Sequence, residues 1–331
     1  MGAVAQDRSS IVAELPRACS DELAAVEFLE RQRWGDEAAC PRCGATDVWQ
    51  MKGRDGERNT RFLWGCRGCN HQFTVRIGTV FEDSRIPLRH WCYAFWAACA
   101  SKKGVSALQI KRQTGLSYKS ALFLMHRIRY AMTPDRSPRL AGTVEVDETY
   151  VGGKPRNMSL AKRREIPFSR RARGLPTPRG RGTDKPPVVA LVERGGRVRA
   201  HVVADVSGRT LKRAIRESVR STAAIHTDEL SSYRGVGRHF AGGHHTVRHS
   251  THEYVRGAVH VNTAESFFAL LKRGLIGTFH AVSHRHLHRY VNEFAFRWNH
   301  RKVDDGARTV AAIRGAEGKR LYYRDPGRSA K

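Results

Sequence analysis

Thr143-Val144-Glu145-Val146-Asp147-Glu148-Thr149-Tyr150-Val151, closed by Gly152-Gly153, is the stretch that decides the fold. Apolar and acidic residues alternate with a period of two, the pattern of a strand packed on one face. Val144 and Val146 then share one face, and Glu145 and Asp147 the other. Downstream, Val188–Val192, a Gly195-Gly196 turn and Val198–Val203 read as a hairpin. A helix follows at about Thr210–Arg220, then a strand, Ala223–Thr227, ending at Asp228. Long helices close the segment at about Glu265–Arg273 and His284–His300. This order predicts an α/β domain with one mixed central sheet flanked by helices, over residues 140–312.

Upstream lie two CxxC pairs, Cys40-Pro41-Arg42-Cys43 and Cys66-Arg67-Gly68-Cys69. Two thiolates separated by two residues can bind one tetrahedral Zn²⁺ from a tight turn, and a second such knuckle closes the site. Four cysteines leave no open coordination position, so the predicted ion is structural. Strand-like pieces at Val48–Met51, Thr60–Trp64 and Gln72–Val75 accompany the knuckles, as in a zinc ribbon. A preceding helix begins at Asp21-Glu22, with Ser20 as its expected cap. Together these form an expected domain over residues 18–82.

A helical region is expected at residues 85–135. Leu88–Ala100 is rich in Trp, Phe and Ala and reads as a buried helix. Two shorter runs begin after Ser106 and Ser117, joined by Thr114-Gly115-Leu116. This is a helix-turn-helix pattern, though αα-hairpins that never touch DNA share it.

The 331-residue chain carries 59 Lys and Arg against 31 Asp and Glu, a formal net charge of +28. A field of that sign attracts phosphate backbones. No apolar run is long enough to span a membrane, and the N-terminus lacks a signal-peptide pattern. Cys19, Cys92 and Cys99 read as reduced core thiols, which fits a cytoplasmic protein. Residues 154–187 read as a basic flexible loop. His239, His244, His245, His249 and His252 are irregularly spaced among glycines and read as loop rather than a second zinc site.

Asp147, Asp228 and Glu265 are the acids placed for chemistry. If their two strands are neighbours, Asp147 and Asp228 emerge side by side, and a helix packed across that edge brings in Glu265. Three carboxylates together repel one another unless cations intervene. Two Mg²⁺ (or Mn²⁺) ions, held by carboxylates and substrate phosphate, suit phosphodiester displacement. On spacing alone the favoured reading is the ordinary one, that each acid is a surface residue or helix cap, because acids are common. Asn262 is expected to cap the Glu265 helix.

The segments Val144–Lys154, His226-Thr227-Asp228 and Asn262–Gly274 resemble the DDE transposases of bacterial insertion sequences, in the ISXO-type group with an N-terminal zinc ribbon. Gly277-Thr278-Phe279-His280, His286-Leu287 and Tyr290–Asn299 are similar to that group's C-terminal signature. The resemblance spans about Asp21–Arg301. It implies an RNase H-like domain with Asp147, Asp228 and Glu265 as the metal-binding triad, and DNA cleavage followed by strand transfer. The implied partners are transposon ends and target DNA, bound by a homodimer or higher assembly. Lys119, Arg127, Lys154, Lys272 and Arg273 are the basic residues assigned to DNA. Two other readings stay open: an inactive zinc-ribbon regulator that only binds DNA, and a nuclease that cuts without joining.

Overall fold

The alternation along Thr143–Tyr150 becomes strand β4 in a computed structural model, which describes residues 8–134, 138–152 and 185–323. The chain forms two compact units, residues 135–299 and residues 1–134 with 300–331.

In the first of these, five strands make one sheet: β4, β5 (Pro187–Glu193), β6 (Val198–Val202), β7 (Ala224–Thr227) and β8 (His244–Thr246), in the order β6-β5-β4-β7-β8. β5 runs antiparallel to β4 and β6, while β4, β7 and β8 are parallel. This is the mixed sheet expected of an RNase H-like domain. β5 is buried on both faces. Val188, Ala190 and Val192 pack against helices α7 (Asn262–Gly274) and α8 (His284–Asn299). Val189 and Leu191 face the opposite cluster, with Leu211 and Ile215 of helix α6 (Gly208–Ser218). Such continuous apolar runs mark central strands covered by helices on both sides. Val144 and Val146 lie in the α6 cluster, so Glu145 and Asp147 face the α7 layer as their alternation implies. The fifth strand, β8, falls in the Gly- and His-rich segment read as loop. Two histidines and a threonine carry no apolar alternation, and β8 exists through its parallel pairing with β7.

The other unit begins with helix α1 (Arg8–Ser20), absent from the sequence reading because Pro16 interrupts its pattern. Helix α2 (Glu22–Trp34) starts at Asp21, whose carboxylate accepts from the Ala24 N–H at 2.7 Å. Ser20 is therefore not the cap, and its hydroxyl donates back to the Pro16 and Arg17 carbonyls. The ribbon strands β1 (Val48–Gln50), β2 (Trp64–Cys66) and β3 (Gln72–Phe73) form an antiparallel sheet. Trp34, Trp64 and Phe73 meet over it, with Trp34 edge-on to the other two rings. Helix α3 (Leu88–Ala100) is as expected, with Trp91, Phe95 and Cys99 fully buried. Helices α4 (Ala107–Thr114) and α5 (Tyr118–Ala131) follow, capped by Ser106 and Ser117. Gly115 turns between them at φ +73, a left-handed conformation natural to glycine.

The expected ribbon and helical domains thus lie in one unit, and the α/β domain ends before residue 312. From His300 the chain rejoins the unit that holds the ribbon. Thr309, Val310, Ala312 and Ile313 are buried along helix α9 (Asp305–Arg314), which packs on α1, α2, α3 and α5. No described helix is long and apolar enough to cross a membrane.

Candidate active site and zinc centre

Parallel pairing sets the first two acids. Val146 is in register with Thr227, the last pair between the two strands, so Asp147, still paired with Ala190 of β5, and Asp228, just past the end of β7, follow it on neighbouring strands. The Leu230 N–H donates to the Asp228 carboxylate at 3.0 Å, and the Glu148 N–H to Asp147 at 2.8 Å. Burial, then Glu148, Asp228 and Glu265, push the Asp147 carboxyl up to about 7. The three acids of the expected triad therefore share one electrostatic neighbourhood. Helix α7 supplies the third. Ala264, Phe267, Phe268 and Leu271 pin one face into the core, which leaves Glu265, Lys272 and Arg273 on the exposed face. Lys272 lies about two turns beyond Glu265 on that face.

Glu148 projects to the opposite side of β4, where its carboxylate accepts from the buried Tyr233 hydroxyl at 2.9 Å. Glu229 accepts from the N–H and hydroxyl of Ser250. Neither competes for the position of Asp147.

Glu145 is the residue whose role sequence reasoning missed. It is 0% exposed. One carboxylate oxygen accepts from Arg194 Nε at 2.8 Å and Thr263 Oγ1 at 2.9 Å. The other accepts from the backbone N–H of Thr263 at 2.7 Å and of Ala264 at 3.2 Å. His260 Nδ1 stands 3.2 Å away. The cap of α7 is thus a side chain from β4. Asn262, expected to cap, is the first helical residue, and the N-cap position is Val261, which makes no side-chain capping bond. Arg194 also donates to the carbonyls of Ala258 at 2.6 Å and His260 at 3.2 Å. Its Nη2 is 3.3 Å from His226 Nδ1. Burial, then Arg194 and His245, lower His226 to about 4, so a neutral ring accepts that bond at neutral pH.

The other basic residues separate. Lys119 is exposed at the start of α5, its Nζ 5.2 Å from the Tyr323 ring centre. Arg127 is 7% exposed and donates to the Val80 and Glu82 carbonyls at 3.0 and 2.8 Å, with its guanidinium over Phe123. The DNA role expected for Arg127 is corrected: the guanidinium is spent on closing backbone, because α5 buries that face. Lys154 and nearly all of the basic loop 154–187 lie outside the described residues.

In the ribbon, Cys40, Cys43, Cys66 and Cys69 bring their sulfurs within 4.8 Å of one another. Cys40 and Cys69 are 3.7 Å apart, and Cys43 and Cys66 3.6 Å. A disulfide would require about 2.05 Å. The edge of a tetrahedron with Zn–S bonds of about 2.3 Å is about 3.8 Å, so the four thiols fit a structural zinc. Among the described residues this is the one group gathered so tightly. Asp147, Asp228 and Glu265 do not form such a group.

Residues 139–299 match the ISXO2-like transposase domain, and residues 20–72 the transposase zinc-ribbon domain. A protein of the transposable element ISH50 from Halobacterium salinarum is 32% identical over 280 residues, which cover 83% of this chain and 90% of that protein. The chain belongs to the ISXO2-like transposase family. The transposase domain ends at 299, where the chain leaves the five-stranded unit. Within the transposase, the zinc-ribbon match includes all four cysteines.

Proposed function

We propose that this transposase binds the ends of its insertion sequence, cleaves there, and joins the freed ends to target DNA. The observation that carries the reading is the placement of Asp147 and Asp228 just past the last pair between two parallel strands, with Asp228 and Glu265 both acting on the Asp147 carboxyl. The donor set fits divalent cations: three carboxylates, one of them driven toward its neutral form first by burial and then by Glu148, Asp228 and Glu265, ask for positive charge. Bound by Asp147, Asp228 and Glu265, two Mg²⁺ or Mn²⁺ ions would supply Lewis acidity to the attacking and leaving oxygens of a phosphodiester. Lys272 and Arg273, exposed on the same helix, meet the substrate phosphates. Lys119 and the α4–α5 pair, with the ribbon, hold terminal DNA, where phosphate contacts give affinity and base contacts give specificity. Lys154 keeps its proposed contact to DNA. Two ends must be held together, so the working form is a homodimer or larger, acting in the cytoplasm where its DNA lies.

The test combines purified protein, Mg²⁺, a labelled duplex carrying the element's terminus and a supercoiled target plasmid, with Asp147→Ala as control. Covalent donor–target joints made by the wild type alone establish the reading. Cleavage without joints supports a nuclease. Salt-sensitive binding with neither product supports a DNA-binding regulator.

A further inference from the structure

Glu265 can join the two aspartates only if α7 starts at a fixed distance from β4, and while its apolar face packs in the core, no side-chain cap of its own fixes that start. Its first turn contains no capping side chain of its own. The free N–H groups of Thr263 and Ala264 instead end on Glu145, two residues before Asp147 on the same face of the same strand. A buried carboxylate is costly unless its oxygens are satisfied. Here both are, by two backbone N–H groups, a hydroxyl and a guanidinium. The positive end of the helix dipole adds to the attraction. Arg194, from the β5–β6 turn, closes the arrangement by also binding the Ala258 and His260 carbonyls in the segment that leads into α7.

We propose that Glu145 is a positioning residue for the catalytic centre: it bolts the first turn of α7 to β4 and so sets where Glu265 stands relative to Asp147 and Asp228. This rests on the triad reading above. One carboxylate, Asp147, would ligate the cations, and the other, Glu145, would hold the third ligand's helix in place. Residues that orient metal ligands without touching the ion commonly change metal affinity by about 10–100-fold when replaced.

The experiment is a Mn²⁺ titration of the full-length protein, following free Mn²⁺ by electron paramagnetic resonance, with thermal melts in parallel. The variants are Glu145→Gln, Thr263→Val, Asp147→Ala and Leu211→Ala. Leu211 lies in the core on the far face of the sheet and controls for general loss of stability. Glu145→Gln is expected to weaken Mn²⁺ binding about 10–100-fold. Thr263→Val, which removes only the hydroxyl, should weaken it by a smaller factor and retain the fold. Leu211→Ala should melt earlier yet bind Mn²⁺ as the wild type does. Wild-type affinity in Glu145→Gln, with binding lost in Asp147→Ala, overturns the positioning role and leaves the triad intact. If Glu145→Gln does not fold, Thr263→Val decides, and unchanged affinity there overturns the proposal. A loss in Leu211→Ala as large as in Glu145→Gln also overturns it. No binding by the wild type, or full binding by Asp147→Ala, removes the triad reading and the proposal with it.

Discussion

Val146 on β4 stands opposite Thr227 on the parallel strand β7, and this last register pair sets Asp147 and Asp228 as the next residues on neighbouring strands. A slip of one residue would turn one of the two acids to the other face. The site is therefore set by strand register, and α7 is built onto it.

The Asp147 carboxyl makes stability depend on pH. Its folded value, about 7, lies above its ordinary 3.8. The folded chain then holds that proton more tightly than the unfolded one. The resulting stabilisation is complete below about 3.8 and is lost as pH rises through about 7. Asp147→Asn is neutral at every pH. Without divalent metal it should melt near the wild type at pH 4 and several degrees higher at pH 8. Added Mn²⁺ should raise the wild-type melt and leave the variant unmoved. Differential scanning fluorimetry across pH checks both, and a pH-independent gap would count against the raised value.

Zinc should be a folding element of the ribbon alone. The four cysteines join short strands whose remaining core is one small cluster around Phe73, Trp34 and Trp64. Cys66→Ser should reduce bound zinc from about one ion per chain to none and expose the ribbon to protease. The five-stranded unit has its own cores on both faces of its sheet and should stay resistant. Elemental analysis and limited proteolysis read the two halves of this expectation.

Gly274 of α7 lies directly against Phe294 of α8. A Cβ added there would lie 2.0 Å from the Phe294 ring. Gly274→Ala should force Phe294 or the helix aside and cost about 1–3 kcal/mol. Denaturant melts measure it. Gly277, around which there is open space, is the contrasting site, and alanine there should change little.

Two basic residues should separate stability from DNA contact. Lys272→Ala should weaken binding and lower the slope of log affinity against log salt by about 0.9, as loss of one phosphate contact does. Arg127→Ala should leave that slope alone and cost about 1.5–3 kcal/mol of stability, because the guanidinium bridges the Val80 and Glu82 carbonyls. Binding isotherms at several salt concentrations, beside melts, distinguish them.

Local patterns carried most of the fold. Alternation placed Val144 and Val146 against α6, and helix α3 falls where its apolar run predicts. The doubled CxxC spacing identified the sulfurs that come together. What stayed hidden depends on partners far away in sequence. Glu145 reads as one more acid on the strand until Thr263 and Arg194 fold onto it. Strand β8 has no apolar alternation and is made by its neighbour. Arg127 is indistinguishable from a surface arginine until α5 buries it. The Ser20–Asp21 choice of cap is a competition between adjacent good cappers, decided by where α1 ends.

Helix α9, synthesised last among the described helices, is packed into the unit that contains the first residues of the chain. On the ribosome the ribbon emerges early, yet its unit lacks a wall until the whole five-stranded unit has been translated. The later module therefore has the chance to fold first, while α1, α2, α3 and α5 wait with apolar surface uncovered. A gene fragment ending near residue 134 would leave that surface open permanently, and exchanging the inserted module between relatives would require two splices rather than one.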